Sequence, residues 1–402
     1  MKLSFASRIN SLQPSAIDEI LKYCSDPNMI TFAGGIPAPE SFPVEAIQEI
    51  SQNILQEHPV SVLQYHRTEG YLPLRKHLQQ TLVKKWDLHQ PENELLITSG
   101  AQQGIDLMTR IFCSDGDVIL CESPSYLGAL DIFRANGAAL VGIPVESDGI
   151  SISALEEAMN AHPSAKLLYL IPNFQNPLGI TMSLQKRKLV YQLAKKYRVV
   201  IVEDDPYGEL YFSGTALPPI KAFDEEGVVV YCGSFSKIVS PGFRIGYLYG
   251  NRQILAKITT MKQCNDLHTN VWSQMVLHEY LTRYPHEAHV QKLRELYRTK
   301  AEWMLSSLEQ YFPTGTHWTH PNGGMFLWCT LPDSVDMPDF CRRAALEKKV
   351  AVVPGNAFLT DQNVCCHSFR MNYSASSKEE ITSGVSRLGE LLESLLTKSN
   401  RV

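Results

Sequence analysis

No C-x-x-C pair occurs in this sequence, and its nine cysteines are scattered, with Cys365 and Cys366 adjacent. An odd, irregular set of this kind points to reduced thiols in a cytosol, each serving as a small apolar filler. The N-terminus lacks an apolar signal core after Lys2, and no run is long enough to span a bilayer. Internal repeats and low-complexity segments are absent as well. A large excess of either charge is missing too, with 37 Lys and Arg against 42 Asp and Glu. The net charge of −5 gives no reason to expect nucleic acid or an anionic membrane as partner. What remains is an ordinary globular composition, with 44% apolar and 20% charged residues. At 402 residues the chain is too long for one small core, so two domains are expected.

Residues up to about Glu40 read as an irregular arm with one short helix over 15–23. The paired glycines and alternating prolines of 32–40 exclude a regular element. They suit either a loop whose backbone lies close to a ligand or a plain interdomain linker. Tyr65 and Tyr71 bracket a polar stretch, as binding residues or as surface aromatics. Leu74, Leu78, Leu82 and Trp86 then mark one apolar helix face.

A strand over 94–98 leads into Ser99, Gly100, Ala101 and Gln102, and then into a helix with Ile105, Met108, Ile111 and Phe112 on one side. A strand, a small-residue turn and a helix start make an anion site from free backbone N–H groups and the helix dipole. The Lys-Ser/Thr of a nucleotide-binding P-loop is missing. The alternative is a tight turn with no ligand. Further strands are expected over 117–122, 166–172 and 198–205. The first ends at Tyr126, an aromatic placed to stack on a flat ring or to serve structure alone. The second leads into Asn176 and Gly179. The third ends in three acids. Its period of two puts Asp204 on the face of Val200 and Val202, opposite Glu203 and Asp205. One inward acid, with Tyr207 three residues on, is a poor metal set. It suits a pyridinium nitrogen and a phenolate oxygen.

The apolar run 228–231 reads as a buried strand. It is followed by Ser234, Ser236, Lys237, a Pro-Gly turn and Arg244. An ammonium at the end of a core strand is costly unless it is paired or chemically used. The Lys237 amine can condense with an aldehyde while Ser234, Ser236 and Arg244 hold a phosphate on the same molecule. Pyridoxal phosphate carries both groups.

Strands separated by helical stretches such as Leu184–Tyr197 indicate α/β architecture with a mostly parallel sheet. Such sheets bind ligands at the carboxyl ends of their strands, where every group singled out from Ser99 to Lys237 falls. A long helix is expected over about 287–308, with His286 and His289 on a solvated face rather than forming a metal pair. Strands over 323–328, 350–355 and 367–373 read as a second, smaller α/β domain. In the last of these, alternation puts Phe369, Met371 and Tyr373 on one face and Arg370 on the other. Arg370 is then either a fork for a carboxylate or a strand arginine facing water.

Taken in this order, from Ala33-Gly34-Gly35-Ile36-Pro37 through Tyr126, Asn176-Pro177-Leu178-Gly179, Asp204-Asp205-Pro206-Tyr207 and Ser234-Phe235-Ser236-Lys237 to Arg244 and Arg370, the residues resemble a known family. It is the fold-type I pyridoxal-phosphate-dependent aminotransferases of the class I/II group, near the branch with 2-aminoadipate and kynurenine aminotransferases. The resemblance covers almost the whole chain. It implies a large cofactor-binding domain over 41–285, with a mostly parallel central sheet flanked by helices. It also implies a small C-terminal α/β domain over 286–402, and residues 1–40 as an N-terminal arm and part of the small domain.

The implied roles follow residue by residue. Lys237 is the Schiff-base lysine, Asp204 pairs with the pyridine nitrogen, and Tyr207 and Asn176 bond the ring oxygen. Tyr126 stacks on the ring. Ser99, Gly100, Ala101, Gln102, Ser234, Ser236 and Arg244 surround the phosphate. Tyr65 resembles the tyrosine that reaches the phosphate from the partner subunit, which implies a homodimer with shared active sites, in the cytoplasm that the reduced thiols point to. Arg370, the backbone at Gly35 and Asn176 hold the substrate α-carboxylate, and no metal is required. The reaction implied moves an amino group from an α-amino acid to a 2-oxo acid, with 2-oxoglutarate the usual acceptor. Aminoadipate enzymes of this branch carry an arginine on the short N-terminal helix for the distal carboxylate. The matching position here is Asp18, which would repel an acidic side chain. That leans the expected donor toward aromatic or bulky neutral amino acids, with aminoadipate-like ones as the remaining class. Two rivals share the core: a pyridoxal-phosphate lyase or decarboxylase, and a regulator domain fused to a DNA-binding winged helix. The match begins within the first few tens of residues, which is expected to leave no room for that winged helix.

Overall fold

Runs of β-branched and aliphatic residues bounded by polar turns form the centre of the molecule, because such runs need cover on both faces. Strands Val118–Ser123, Leu167–Leu170, Val200–Asp205 and Val229–Ser234 lie side by side and parallel. All four residues of Leu167–Leu170 are buried. Beyond Val118–Ser123 the sheet continues through Ala139–Glu146, also parallel, to the short antiparallel Gly149–Ile150. At the other side Gly246–Asn251 runs antiparallel, and Asn93–Thr98 completes eight strands. This computed structural model describes residues 5, 9, 26, 28–88 and 90–399. The helix expected over 15–23, with Asp18, lies outside the described residues.

Helices connect these strands and cover the sheet. Leu184–Tyr197 begins at Ser183, whose hydroxyl accepts the Lys186 N–H at 3.3 Å. It ends at Arg198 in the left-handed conformation, φ 57°. Leu72–Trp86 buries Leu74, Leu78 and Leu82, the stripe read from sequence. A second sheet, antiparallel throughout, orders His317–Trp318, Phe326–Thr330, Ser368–Asn372 and Val353–Pro354. The long helices His286–Tyr311 and Lys378–Ser399 pack on each other. Ile30–Thr31 pairs with Val350–Ala351, so an early segment is stitched to a late one. Among the described residues no helix is long and apolar enough to cross a membrane.

One expectation changes, and one open alternative closes. His286 and His289 are not on a solvated face. Both are half-buried, because the first turn of their helix packs on Val271–Arg283, where Tyr280 meets both rings edge-on at 5.8 and 6.0 Å. Burial draws the His286 imidazole down to about 4. Arg370 does not face water, since all five residues of Ser368–Asn372 are buried. Among the described residues no three His, Cys, Asp or Glu side chains gather as a metal set.

The entry to strand Val229–Ser234 depends on a buried ion pair. Asp224 accepts the N–H groups of Gly227, Val228 and Val229 at 2.9, 3.0 and 3.0 Å. Its partner is the Lys221 ammonium at 2.7 Å, and neither side chain is exposed. Replacing Lys221 by Met leaves the carboxylate buried without its counter-charge, at a cost of about 3–5 kcal/mol. Denaturant unfolding of Lys221→Met should show that loss, and a midpoint equal to that of the wild type contradicts this role.

Candidate active site

The carboxyl ends of the parallel strands open on a cavity of about 280 Å³. That is near the lower end of the range of about 300–1,000 Å³ for small-ligand sites. Lys237 follows strand Val229–Ser234 and sends its amine into this space, donating to the Gly35 carbonyl at 2.6 Å. Burial lowers its affinity for a proton, and the charges of Arg370 and Arg244 lower it further, to about 8.

Asp204 enters from the neighbouring strand, buried on the face that alternation assigns to it. The Tyr169 hydroxyl donates to its Oδ2 at 2.7 Å, whereas its Oδ1 is buried with no partner. Burial pushes this carboxyl up to about 7, and the Tyr169 hydrogen bond works in the opposite direction. The adjoining acids belong elsewhere. Glu203 accepts the N–H groups of Ile220 and Lys221 at 2.7 and 2.8 Å. Asp205 accepts from the Tyr231 hydroxyl at 2.7 Å and from Asn173 at 3.0 Å.

Asn176 ties two more groups together. Its amide nitrogen donates to the Tyr207 hydroxyl at 3.5 Å, and its Oδ1 accepts from Arg370 at 2.8 Å. Arg370 also donates to the Ala33 carbonyl, and its guanidinium lies over the rings of Phe326 and Phe358 at 4.3 and 4.9 Å. Burial draws the guanidinium down to about 10, and its Nε is buried without a partner. Tyr126 lines the cavity with its ring laid against Gly128, where any Cβ would collide with the phenol.

At the other end, Ala101 and Gln102 line the cavity with Ser234, Ser236 and Arg244. Ala101 opens helix Ala101–Phe112, and no side chain caps that helix, so its first N–H groups remain available. Gly100 holds φ +79° beneath the Arg244 guanidinium, a place with no room for a Cβ. The Ser234 hydroxyl donates to the Ser236 hydroxyl at 3.0 Å and accepts the Ser236 N–H at 3.1 Å. Ser99 and Gly100 stand behind this wall. The Ser99 carbonyl accepts from Arg244, while its hydroxyl engages Asp266 at 2.8 Å and Thr269 at 3.0 Å. Tyr65 is not brought to this cavity by its own chain. It is 78% exposed, and its ring meets the edge of His268 at 6.0 Å between centroids.

Three contributors were not read from sequence. Tyr169 could have been found, because a tyrosine in a buried strand needs a partner for its hydroxyl. Phe326, edge-on to Tyr207 at 5.8 Å, gave no chemical signal. Lys262 is distant in sequence, yet its buried ammonium bonds Gln103, Asp266 and Thr269 and so braces the turn at Ser99. The cavity thus holds a basic amine, a spare carboxylate oxygen, a spare guanidinium N–H and a nest of N–H and hydroxyl donors. This set fits a phosphorylated pyridine aldehyde.

The comparisons agree with that chemistry. The family model for aminotransferase class I and II matches residues 28–388. The chain is 40% identical to the aromatic-amino-acid aminotransferase 1 of Thermococcus litoralis, over 98% of this chain and 95% of that protein. It is also 40% identical to the 2-aminoadipate transaminase of Thermus thermophilus, over 98% and 97% of the two chains. The kynurenine aminotransferase of Pyrococcus horikoshii, solved in complex with PMP, superposes with a TM-score of 0.93 at 39% identity and 97% coverage of each chain. The chain therefore belongs to the class I and II aminotransferases, and it is a pyridoxal-phosphate-dependent enzyme of amino-acid transamination.

Proposed function

We propose that the enzyme moves the amino group of an aromatic, bulky neutral or aminoadipate-like α-amino acid to a 2-oxo acid, with 2-oxoglutarate as the acceptor. The observation that carries this reading is the convergence of the Lys237 amine, the free Asp204 oxygen and the buried Arg370 on one cavity. Pyridoxal phosphate, when bound, supplies an aldehyde for the amino group and an electron sink for the substrate carbon.

The chain's residues do the rest. Lys237 Nζ, held partly neutral by burial, would take the proton from the substrate Cα as general base and deliver it as general acid to the cofactor carbon that bore the aldehyde. Asp204 Oδ1 accepts the ring N–H and keeps that nitrogen protonated. Tyr207 and Asn176 hydrogen-bond the ring oxygen, and Tyr126 covers the ring. Ser234, Ser236, Arg244 and the N–H groups of Ala101 and Gln102 hold the phosphate, with Ser99 and Gly100 shaping the turn behind them. Arg370, the backbone of Gly35 and Asn176 take the substrate α-carboxylate.

For the donor side chain, Leu127 lines the cavity and Ile36, 56% exposed, stands next to Gly35. These apolar walls favour aromatic and bulky neutral donors. The named relatives act on aromatic amino acids, 2-aminoadipate and kynurenine. Mixing holoenzyme with phenylalanine, leucine or 2-aminoadipate, each without an acceptor, should convert the bound cofactor stoichiometrically to its amine form. Phenylalanine and leucine should be fastest. Release of ammonia or carbon dioxide in place of that conversion would identify a lyase or decarboxylase.

We also infer a homodimer in a cytoplasm, with Tyr65 completing the phosphate site of the partner subunit. The support is the exposure of Tyr65 together with Val60 and Leu63, 77% and 78% exposed, on the adjoining helix Pro59–Leu63. Domain limits at 40/41 and 285/286 complete the reading. Co-expressed Lys237→Ala and Tyr65→Ala chains should then form hybrid dimers in which one site regains wild-type cofactor affinity. Hybrids with no recovered site would contradict shared active sites.

A further inference from the structure

Strand register sets Tyr169 opposite Val202, and Asp204 lies two residues further along the same face. That diagonal is a span an aromatic side chain covers. The Tyr169 side chain is fully buried, and its ring is fixed edge-on against Phe133 at 5.4 Å and 74°. Its hydroxyl has no second acceptor among the hydrogen bonds at this face and points at Asp204 Oδ2 alone, at 2.7 Å. Asp204 is left with one oxygen tied and one open.

We propose that Tyr169 is a positioning residue for Asp204: its hydroxyl fixes the carboxylate rotamer and leaves Oδ1 as the single acceptor presented to the cofactor's ring nitrogen. This rests on the reading of Asp204 given above. The physical consequence concerns where a proton sits. A buried carboxylate next to a ring nitrogen has two ways to share one proton: as an ion pair, or as a neutral acid beside a neutral ring. A hydrogen bond donated to the carboxylate favours its charged form, and so favours the proton on the ring. Tyr169 can only donate here, because burial and the nearby Asp204 charge push its hydroxyl well above the usual phenol range. The other titratable groups at this face do not compete. Burial keeps Tyr126 and Cys232 neutral, and Asp205 is bound to Tyr231 and Asn173.

The test is a pH titration of the visible absorption of bound cofactor, with kcat measured in parallel, for wild type, Tyr169→Phe, Asp204→Asn and the double variant. Loss of the hydroxyl withdraws positive charge from the ring. The absorption transition of Tyr169→Phe should therefore move to higher pH, by up to about one unit, and kcat should fall roughly tenfold or more. On the Asp204→Asn background the same substitution should add nothing, because it acts through that carboxylate. A fluorinated tyrosine placed at 169 is a stronger donor of similar shape and should move the transition to lower pH, which keeps the test open if the phenylalanine variant folds poorly. An unmoved transition in Tyr169→Phe, or an equal further loss on the Asp204→Asn background, overturns the role of Tyr169 alone. If Asp204→Asn itself leaves spectrum and kcat unchanged, the fault lies with the reading of Asp204 instead.

Discussion

A partly buried amine beside two guanidinium groups is the constraint on which the rest of this site depends. The Lys237 ammonium loses hydration on burial and gains no carboxylate partner in return, only the Gly35 carbonyl. Arg370 and Arg244 disfavour its charged form further. Left to itself such an arrangement is unfavourable, because a buried charge without a counter-charge is among the costliest features a fold can hold. Under the proposed function, the amine is taken up in a covalent bond to the cofactor and the guanidiniums meet anions. The open Asp204 oxygen and the open Arg370 Nε are the same kind of feature: buried polar atoms left without a hydrogen-bond partner.

The scaffold makes this tolerable by spending its regular hydrogen bonding elsewhere. Glu203, Asp224, Lys221 and Arg187 are fully buried, yet each is bonded to backbone or to an opposite charge. They fix the strand that carries Asp204 and the strand that leads to Lys237. Two of the buried atoms left without a partner, Asp204 Oδ1 and Arg370 Nε, thereby belong to residues lining one cavity at the carboxyl ends of the sheet. Neighbouring residues of one acidic run illustrate the division: Glu203 is structural, Asp204 faces the cavity, and Asp205 closes a bond to Tyr231 on the opposite face.

Much of this was legible in the sequence, for reasons that differ between elements. The helix Leu184–Tyr197 and the strands ending at Thr98, Ser123, Asp205 and Ser234 follow from periodicity and turn residues, which are local signals. The inward direction of Asp204 follows from the period of two. Tertiary cover was not legible. Alternation gave Arg370 a face of its own but could not tell that Phe326, Phe358 and Asn176 close over it. For the same reason the pair His286 and His289 read as solvated, although Tyr280 and the Ile238 carbonyl cover them. Tyr169 escaped notice because its partner sits on the next strand, at a distance set by register rather than by sequence spacing.

The most direct test of the account is borohydride reduction of wild-type holoenzyme, followed by proteolysis and mass mapping of the phosphopyridoxyl group. The account requires that mass on the peptide containing Lys237, in near-stoichiometric yield. A modification carried chiefly by any other lysine, or protein recovered with none, would contradict it.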